Sequence, residues 1–434
     1  MHRIQLKKSP MGWNSWDCYG AAVTEEIVKQ NADFMAEHLK CFGWEYIVVD
    51  IQWYAPEGKT HEYVPFAKLC MDEYGRLIPD GAKFPTANGS FKYLADYVHE
   101  KGLKFGIHIM RGIPRQAVEE NCPIKGTDKT ARDAADASNV CAWNPDMYGL
   151  KTDTDEAITL AKKYYESIFE LYREWGVDFI KCDDIARELP RCEKELEIIS
   201  RALRNCGRDM VFSISPGPAL ISYSEFYKQY ADMWRITDDF WDSWPALYNM
   251  FERAAAWAPH TGAGHFPDAD MLPIGPLRQD YDKNDRTKFT EDEQVTMMTL
   301  WSIFRAPLMI GGEMTGFDDF TMSLITNREI LKMHENARNP HEVFRRTEDT
   351  EMILWTAGCY KTCGTYAALF NAGEEDVSYN LSLSELDLYE KAYVACDLWS
   401  GEKIIPKEGF LTVKVKKHGA AAFYISEADL QTDL

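Results

Sequence analysis

Two segments of the chain concentrate side chains able to carry nucleophilic or acid–base chemistry. The first is Asp178-Phe179-Ile180-Lys181-Cys182-Asp183. Side chains of a strand alternate between faces, so Phe179, Lys181 and Asp183 share one face and Ile180 and Cys182 the other. If the apolar pair packs against helices, Lys181 and Asp183 point the opposite way. A buried ammonium beside a carboxylate keeps that carboxylate ionised and therefore nucleophilic. Taken alone, the pair is more simply a structural salt bridge. The second segment runs from Trp234 to Trp244 and holds Arg235, Asp238, Asp239, Asp242 and three tryptophans. An aromatic wall desolvates a carboxyl group and raises its pKa, as a general acid requires. Acidic residues and Ser also cap helices. That reading accounts for Asp242 and Ser243, and less well for Arg235 and Asp239. Asp50, in Val48-Val49-Asp50-Ile51-Gln52-Trp53, could accept hydrogen bonds from ligand hydroxyls or cap a loop. His108 is a lone histidine, a type more often structural than catalytic.

These residues need elements to hold them. Up to about Glu335, short apolar runs alternate with helical patterns, which predicts a parallel sheet with crossover helices. The strands are expected at Met11–Trp16, Trp44–Asp50, Leu103–Ile109, Asp178–Asp183, Met210–Ser215, Met233–Ile236, His265–Met271 and Leu308–Ile310. Helices fit between them, among them one capped by Thr24, Thr154–Trp175, Glu193–Asn205, Trp244–Trp257, Glu291–Phe304 and Thr321–His334. Eight such units fit a (β/α)8 TIM barrel. A doubly wound open sheet is the competing arrangement. The barrel is favoured because polar residues recur at strand C-terminal ends: Asp50, His108, Asp183, Ser215, Asp239 and Asp270. Barrels build their sites on that face, whereas an open sheet concentrates them at one switch point. From residue 337 the pattern changes to short strands with turns: Val343–Arg345, Met352–Trp355, Tyr366–Phe370, Tyr393–Trp399, Leu411–Val415 and His418–Ile425. This reads as a C-terminal antiparallel β-sandwich, giving domains 1–336 and 337–434. The residues from Glu427 onward read as a frayed polar tail.

Composition narrows the function classes. The formal net charge of the 434 residues is -21, which repels nucleic acid and anionic lipid but tolerates a neutral substrate. No run of about 20 apolar residues is available to span a bilayer, and the N-terminus lacks the apolar core of a signal peptide. The 11 cysteines are scattered, which fits reduced thiols in a cytoplasm. No Gly-x-Ser-x-Gly, His-Glu-x-x-His or dinucleotide fingerprint occurs. A metal-dependent barrel hydrolase would place several histidines at strand ends, and only His108 and His265 are candidates. Neither a cofactor nor a metal is therefore expected. The chain has 13 Trp and 22 Tyr; some could stack on the C–H face of a pyranose ring.

Taken together, these segments resemble the α-galactosidase family of retaining glycosidases, glycoside hydrolase family 27. Met11-Gly12-Trp13-Asn14-Ser15-Trp16 is similar to that family's opening motif. Asp50-Ile51-Gln52-Trp53 stands where the family usually has Asp-Asp-Cys-Trp. Lys181-Cys182-Asp183 resembles its Lys-x-Asp nucleophile strand, and Trp234-Arg235 with Asp239 its acid/base segment. Asp268-Ala269-Asp270-Met271-Leu272 resembles its seventh-strand motif. The resemblance implies Asp183 as nucleophile and Asp239 as general acid/base of a double displacement, with their carboxyl groups about 5–6 Å apart. It implies sugar contacts at Trp16, Asp50, Lys181, Arg235 and Met271. His108 and Ser215 fall at contact positions where other members carry different residues.

Three departures bear on the substrate. The family's second Asp, which binds the sugar's primary hydroxyl, is Ile51 here. A buried hydroxyl without a partner costs about 1–3 kcal/mol. β-L-Arabinopyranose is α-D-galactose without its exocyclic CH2OH, so Ile51 favours β-L-arabinopyranosides over α-D-galactosides. Ser215 lies where α-galactosidases carry a Glu facing the 2-hydroxyl. A small residue there resembles the α-N-acetylgalactosaminidases, although Pro216-Gly217-Pro218 does not match their local sequence. Ile185 replaces a disulfide cysteine of secreted relatives. The alternatives are a plain α-galactosidase, an α-N-acetylgalactosaminidase and, from another class, a non-catalytic carbohydrate-binding protein on the same scaffold. The expected partner is a small carbohydrate, with neither nucleic acid nor membrane. A homo-oligomer is left open, because the long loops at Ala55–Pro85 and Ile113–Asp153 could shape a subsite or a subunit contact.

Overall fold

The computed structural model describes residues 6–262, 264–346, 351–389 and 391–428. Eight short parallel strands form its centre: β1 Met11–Asn14, β2 Tyr46–Val49, β3 Lys104–Met110, β4 Phe179–Asp183, β5 Val211–Ile214, β6 Met233–Arg235, β7 Phe266–Asp268 and β8 Leu308–Ile310. Each pairs with its sequence neighbour, and β1 pairs with β8. Between β7 and β8 the link is made just beyond β7. The Leu272 N–H donates to the Met309 carbonyl at 2.7 Å, and the Gly311 N–H to the Leu272 carbonyl at 2.9 Å. The sheet thus closes on itself as a barrel, and the open-sheet alternative is set aside.

Alternation along the strands builds two layers of core. Tyr46, Val48, Phe179, Val211, Met233, Phe266 and Met309 fill the barrel interior. Ile47, Val49, Ile180, Cys182, Phe212 and Ile214 face outward into the larger core beneath the helices. Gly12 is required by close approach: a Cβ there would lie 2.5 Å from the Tyr46 carbonyl oxygen on the adjacent strand.

Helix ends follow the caps read from sequence. The Thr24 side chain accepts from the Ile27 N–H, and that of Thr154 from the Ala157 N–H. The helix Asp155–Trp175 stops at Gly176, whose φ of 83° is the left-handed conformation glycine tolerates. The helix expected at Thr321–His334 is instead two, Asp319–Thr326 and Arg328–Asn336. Asn327 divides them because its side chain accepts from the Glu329 and Ile330 N–H groups, so it caps a new helix rather than extending the old one. The long loop after β3 contains an unforeseen three-stranded sheet of Ile113–Pro114, Ala135–Val140 and Met147–Leu150.

The C-terminal region is antiparallel. A six-stranded sheet runs in the order Ala337–Arg346, Met352–Cys359, Thr365–Asn371, Ala420–Glu427, Tyr393–Asp397, Lys403–Ile404. Val377–Ser382 and Phe410–Val415 pair as a second sheet, with Leu354, Leu369, Leu381, Leu411 and Phe423 between the layers. Val377–Ser382 and Lys403–Ile404 are additional strands: the first alternates Val, Tyr and Leu with Ser and Asn, and the second is only two residues long. His418 is not in the last strand but in a turn at φ 56°. Glu427 ends that strand opposite Tyr393. Most of the expected tail, residues 429–434, lies outside the described residues, as do the first five.

The sandwich is keyed to the barrel. Trp244 stacks on His418 with ring centroids 3.6 Å apart and planes 9° from parallel. His418 Nδ1 lies 2.9 Å from Glu293, and Thr296 donates to the His418 carbonyl at 2.6 Å. Phe251 meets Phe370, and Trp399 Nε1 donates to Thr299 Oγ1. All 11 cysteines are free. Among the described residues no helix is long and apolar enough to cross a membrane.

One buried group makes stability depend on pH. His334 is 2% exposed, with Nε2 2.8 Å from the Ala306 carbonyl. Burial lowers its pKa to about 4, opposed by that hydrogen bond and helped by the Arg305 charge. The unfolded chain takes up this proton near pH 6.5, the folded chain only near its lowered value, so stability falls as pH drops through that window. Replacing His334 by Gln is expected to remove about 2 kcal/mol of the stability change between pH 7 and 5 measured by urea unfolding. An unchanged pH dependence in the variant would count against this assignment.

Candidate active site

The C-terminal ends of the strands open onto a hollow of about 680 Å3. Its walls come from strand ends around the barrel. Trp16 and Asp17 follow β1, Asp50 follows β2, and Lys181 and Asp183 belong to β4. Arg235 ends β6, Asp238, Asp239 and Phe240 lie beyond it, and Asp270 and Met271 follow β7. The long loop after β2 adds Tyr63, and the long loop after β3 adds Trp143. Trp16 stacks on Tyr63 at 5.5 Å, and Tyr63 meets Trp143 at 5.0 Å, forming a continuous aromatic side.

Asp183 and Asp50 sit among fixed donors. His108 Nε2 lies 3.0 Å from Asp183 Oδ2. A carboxylate can only accept, so Nε2 carries the proton. Burial alone would raise the Asp183 pKa. The hydrogen bond and charge of His108, with the charges of Lys181 and Arg235, outweigh it and hold the carboxyl well below the usual range. Asp50 accepts from Lys181 Nζ at 2.8 Å, Asn14 Nδ2 at 2.7 Å and the Ile51 N–H at 2.7 Å. Burial opposes ionisation there too, and the Lys181 charge overcomes it. Burial likewise disfavours the charged Lys181, but Asp50 and Asp183 hold its pKa above the ordinary value.

Across the hollow Arg235 serves two carboxylates, Asp239 at 2.9 Å and Asp270 at 2.7 Å. Asp270 also accepts from the Phe240 N–H at 2.7 Å. Burial pushes the Asp270 pKa up to about 7; Arg235 opposes this, while the charges of Asp239 and Asp268 add to it. Asp239 is different in kind, because its side chain is 52% exposed. The aromatic wall expected around it is not present. Trp234 is fully buried and stacks on Tyr227, Trp241 lies against Arg278, and Trp244 faces His418. The tryptophans that line the hollow are Trp16 and Trp143.

The hollow therefore gathers Trp16, Asp50, Lys181, Asp183, Arg235, Asp239 and Met271 from the sequence candidates. Ile51, His108 and Ser215 stand behind its wall, at 1%, 0% and 1% exposure. His108 reaches the site through Asp183. Ile51 packs in an apolar cluster with Trp16, Met110 and Met271. The Ser215 hydroxyl is buried without a partner, next to a cis bond to Pro216. Sequence reasoning passed over Asp17, Tyr63, Trp143 and Arg187. Asp17 offered only its adjacency to Trp16, and the two aromatics lie in loops with no periodic pattern. Among the described residues no group of three or more His, Cys, Asp or Glu is arranged to hold a metal ion.

A family model described as alpha galactosidase A matches residues 9–166 and 148–336. An α-galactosidase from Cyamopsis tetragonoloba is 25% identical over 96% of this chain and 86% of its own. Among solved structures, a family 27 β-L-arabinopyranosidase from Geobacillus stearothermophilus is 47% identical, covers 97% of both chains and superposes with a TM-score of 0.92. A variant of that enzyme was crystallised with arabinose. A Bacillus halodurans protein described as a candidate α-N-acetylgalactosaminidase is 44% identical, with a TM-score of 0.85 over 98% of this chain and 100% of its own. With its closed barrel, appended sandwich and carboxylate-rich hollow, the chain belongs to the α-galactosidase family, glycoside hydrolase family 27, and is an O-glycosyl hydrolase.

Proposed function

We propose that this enzyme removes one terminal sugar of galactose-like configuration with retention, and that it prefers β-L-arabinopyranosides to α-D-galactosides. The observation that carries the reading is the pairing of two unlike carboxyl groups on one hollow. Asp183 is buried and held ionised, as a nucleophile must be. Asp239 is half exposed just beyond the end of β6, where a leaving group can depart toward solvent. Asp183 attacks the anomeric carbon as Asp239 gives its proton to the glycosidic oxygen, forming a glycosyl ester and a free alcohol. Asp239 then takes a proton from water, whose oxygen displaces Asp183 and releases the sugar. This requires the two carboxyl groups to approach to about 5–6 Å.

The preference rests on Ile51. Its apolar cluster includes Trp16 and Met271, which both form the wall. An apolar residue backing that wall offers nothing to a primary hydroxyl and fits a sugar that has none. The 47% identical arabinopyranosidase supports this. We place the domain division at residues 336 and 337, where a helix gives way to the first sandwich strand. The free thiols support a reducing compartment, the cytoplasm.

The test is kcat/KM for nitrophenyl β-L-arabinopyranoside and α-D-galactopyranoside, with the α-N-acetylgalactosaminide as a third substrate. The arabinoside is expected to lead by about 10-fold or more, the effect of one missing hydrogen bond. Ile51→Asp is expected to narrow that ratio or reverse it. A wild-type enzyme that favours the galactoside refutes the preference.

A further inference from the structure

Asp17 takes no part in the reaction as proposed, yet it borders the sugar hollow beside Phe240 and Asp270. Its backbone is fixed: the Arg278 N–H donates to the Asp17 carbonyl at 2.9 Å, and the Gln279 N–H to that of Cys18 at 2.7 Å. The side chain is 2% exposed, and Oδ2 is buried without a hydrogen-bond partner. The fold has made room for it. A Cβ on Gly311 would lie 2.1 Å from Oδ2, so a glycine is needed there to admit the carboxyl group. Gly311 has no positive φ that would otherwise demand glycine.

The cations of the hollow are committed elsewhere. Lys181 pairs with Asp50, Arg187 with Asp238, and Arg235 with Asp239 and Asp270. Among the described residues none forms an ion pair with Asp17. A buried carboxylate without a cation is costly enough that it takes up a proton instead. Burial and then the charge of Asp270 act in that direction; the Lys181 charge opposes them, Asp239 adds to them, and Arg235 opposes them more weakly. Beside the N–H groups of Lys181, Arg187 and Arg235, the polar part of the walls is mostly carboxylates, which when ionised only accept hydrogen bonds. A sugar hydroxyl has lone pairs as well as a proton, and needs donors for them.

We propose that Asp17 is a sugar-contacting residue that donates a hydrogen bond from its carboxyl group to a hydroxyl oxygen of the bound glycone. The inference rests on the reading of the hollow as a sugar site. Two variants separate donor from charge. Asp17→Asn keeps the shape and an N–H donor without a charge; Asp17→Leu keeps the volume and removes the donor. Each is assayed for kcat and KM on nitrophenyl β-L-arabinopyranoside and for L-arabinose binding by calorimetry.

The Asn variant is expected to stay within about threefold of wild type in both measurements. The Leu variant is expected to lose about 10- to 100-fold in kcat/KM, with a matching rise in the arabinose Kd. A Leu variant that binds arabinose as wild type does overturns the contact. An Asn variant impaired tenfold or more shows that the charge is needed and overturns the neutral donor. Should the Leu variant not fold, Gly311→Ala decides, since it displaces the carboxyl group without removing it. It is expected to raise the arabinose Kd about tenfold, and an unchanged Kd overturns the proposal. Wild-type enzyme that neither cleaves the arabinoside nor binds arabinose sinks the parent reading and this contact with it. Normal wild-type activity with the variant results reversed sinks this contact alone.

Discussion

Asp183→Ala is expected to lower kcat on nitrophenyl β-L-arabinopyranoside by about 10^4- to 10^6-fold, the range seen when a covalent nucleophile is deleted. The size of the effect follows from what surrounds the residue. His108 is fully buried with its ring hydrogen bond directed at Asp183, and Lys181 and Arg235 add positive charge around that buried carboxyl group. Two other wall carboxylates are committed to donors of their own. Asp50 is held by three donors, and Asp270 by Arg235 and the Phe240 N–H. The variant is expected to fold, because Lys181 keeps Asp50 and Arg235 keeps two carboxylates. Circular dichroism with kcat measured on the same preparation checks both statements. A folded variant within tenfold of wild type would remove Asp183 from the mechanism.

Asp239→Ala is expected to produce a loss that depends on the leaving group. General acid catalysis contributes about 10^2- to 10^4-fold. It matters most for alkyl or sugar alcohols, which leave poorly without a proton, and least for an acidic nitrophenol. The glycosylation rate should therefore fall near the upper end of that range for a methyl glycoside and near the lower end for a dinitrophenyl glycoside. Azide, which needs no general base, should restore turnover of the activated substrate and give a glycosyl azide of unchanged anomeric configuration. Losses that are equal across leaving groups would assign Asp239 a structural role, and an azide product of opposite configuration would mean an inverting enzyme.

Much of the scaffold was legible because its signals are local and strong. Most barrel strands are short apolar runs with a polar residue at or just beyond the C-terminal end, and three of the longer helices carry a threonine cap, Thr24, Thr154 and Thr290, ahead of an acidic first turn. The misses have physical causes. Asn327 broke one helix into two because a side chain that caps a new helix competes with continuing the old one. Lys403–Ile404 contributes two residues to a sheet edge, too few for any period to show.

For the candidate site, the residues at strand ends could be read, since alternation dictates which way Lys181 and Asp183 point. Residues brought by long loops could not. Tyr63 and Trp143 meet across the hollow from segments about 80 positions apart in the chain, and no local pattern encodes that meeting. Nor does the sequence say how wet a residue is. The three tryptophans near Asp239 suggested a dry carboxyl group, yet each turns toward another partner and leaves it in contact with solvent.

The stack of Trp244 on His418 has a consequence for how the protein can be cut. Trp244 opens the helix that begins five residues after Asp239, and its ring is covered by a turn from the far end of the chain. A barrel expressed alone would bare that indole together with Phe251, and would free the peptide that carries Asp239. The sandwich thus serves as a backstop for the reacting strand end. Exchanging the two lobes between relatives therefore demands that this socket match.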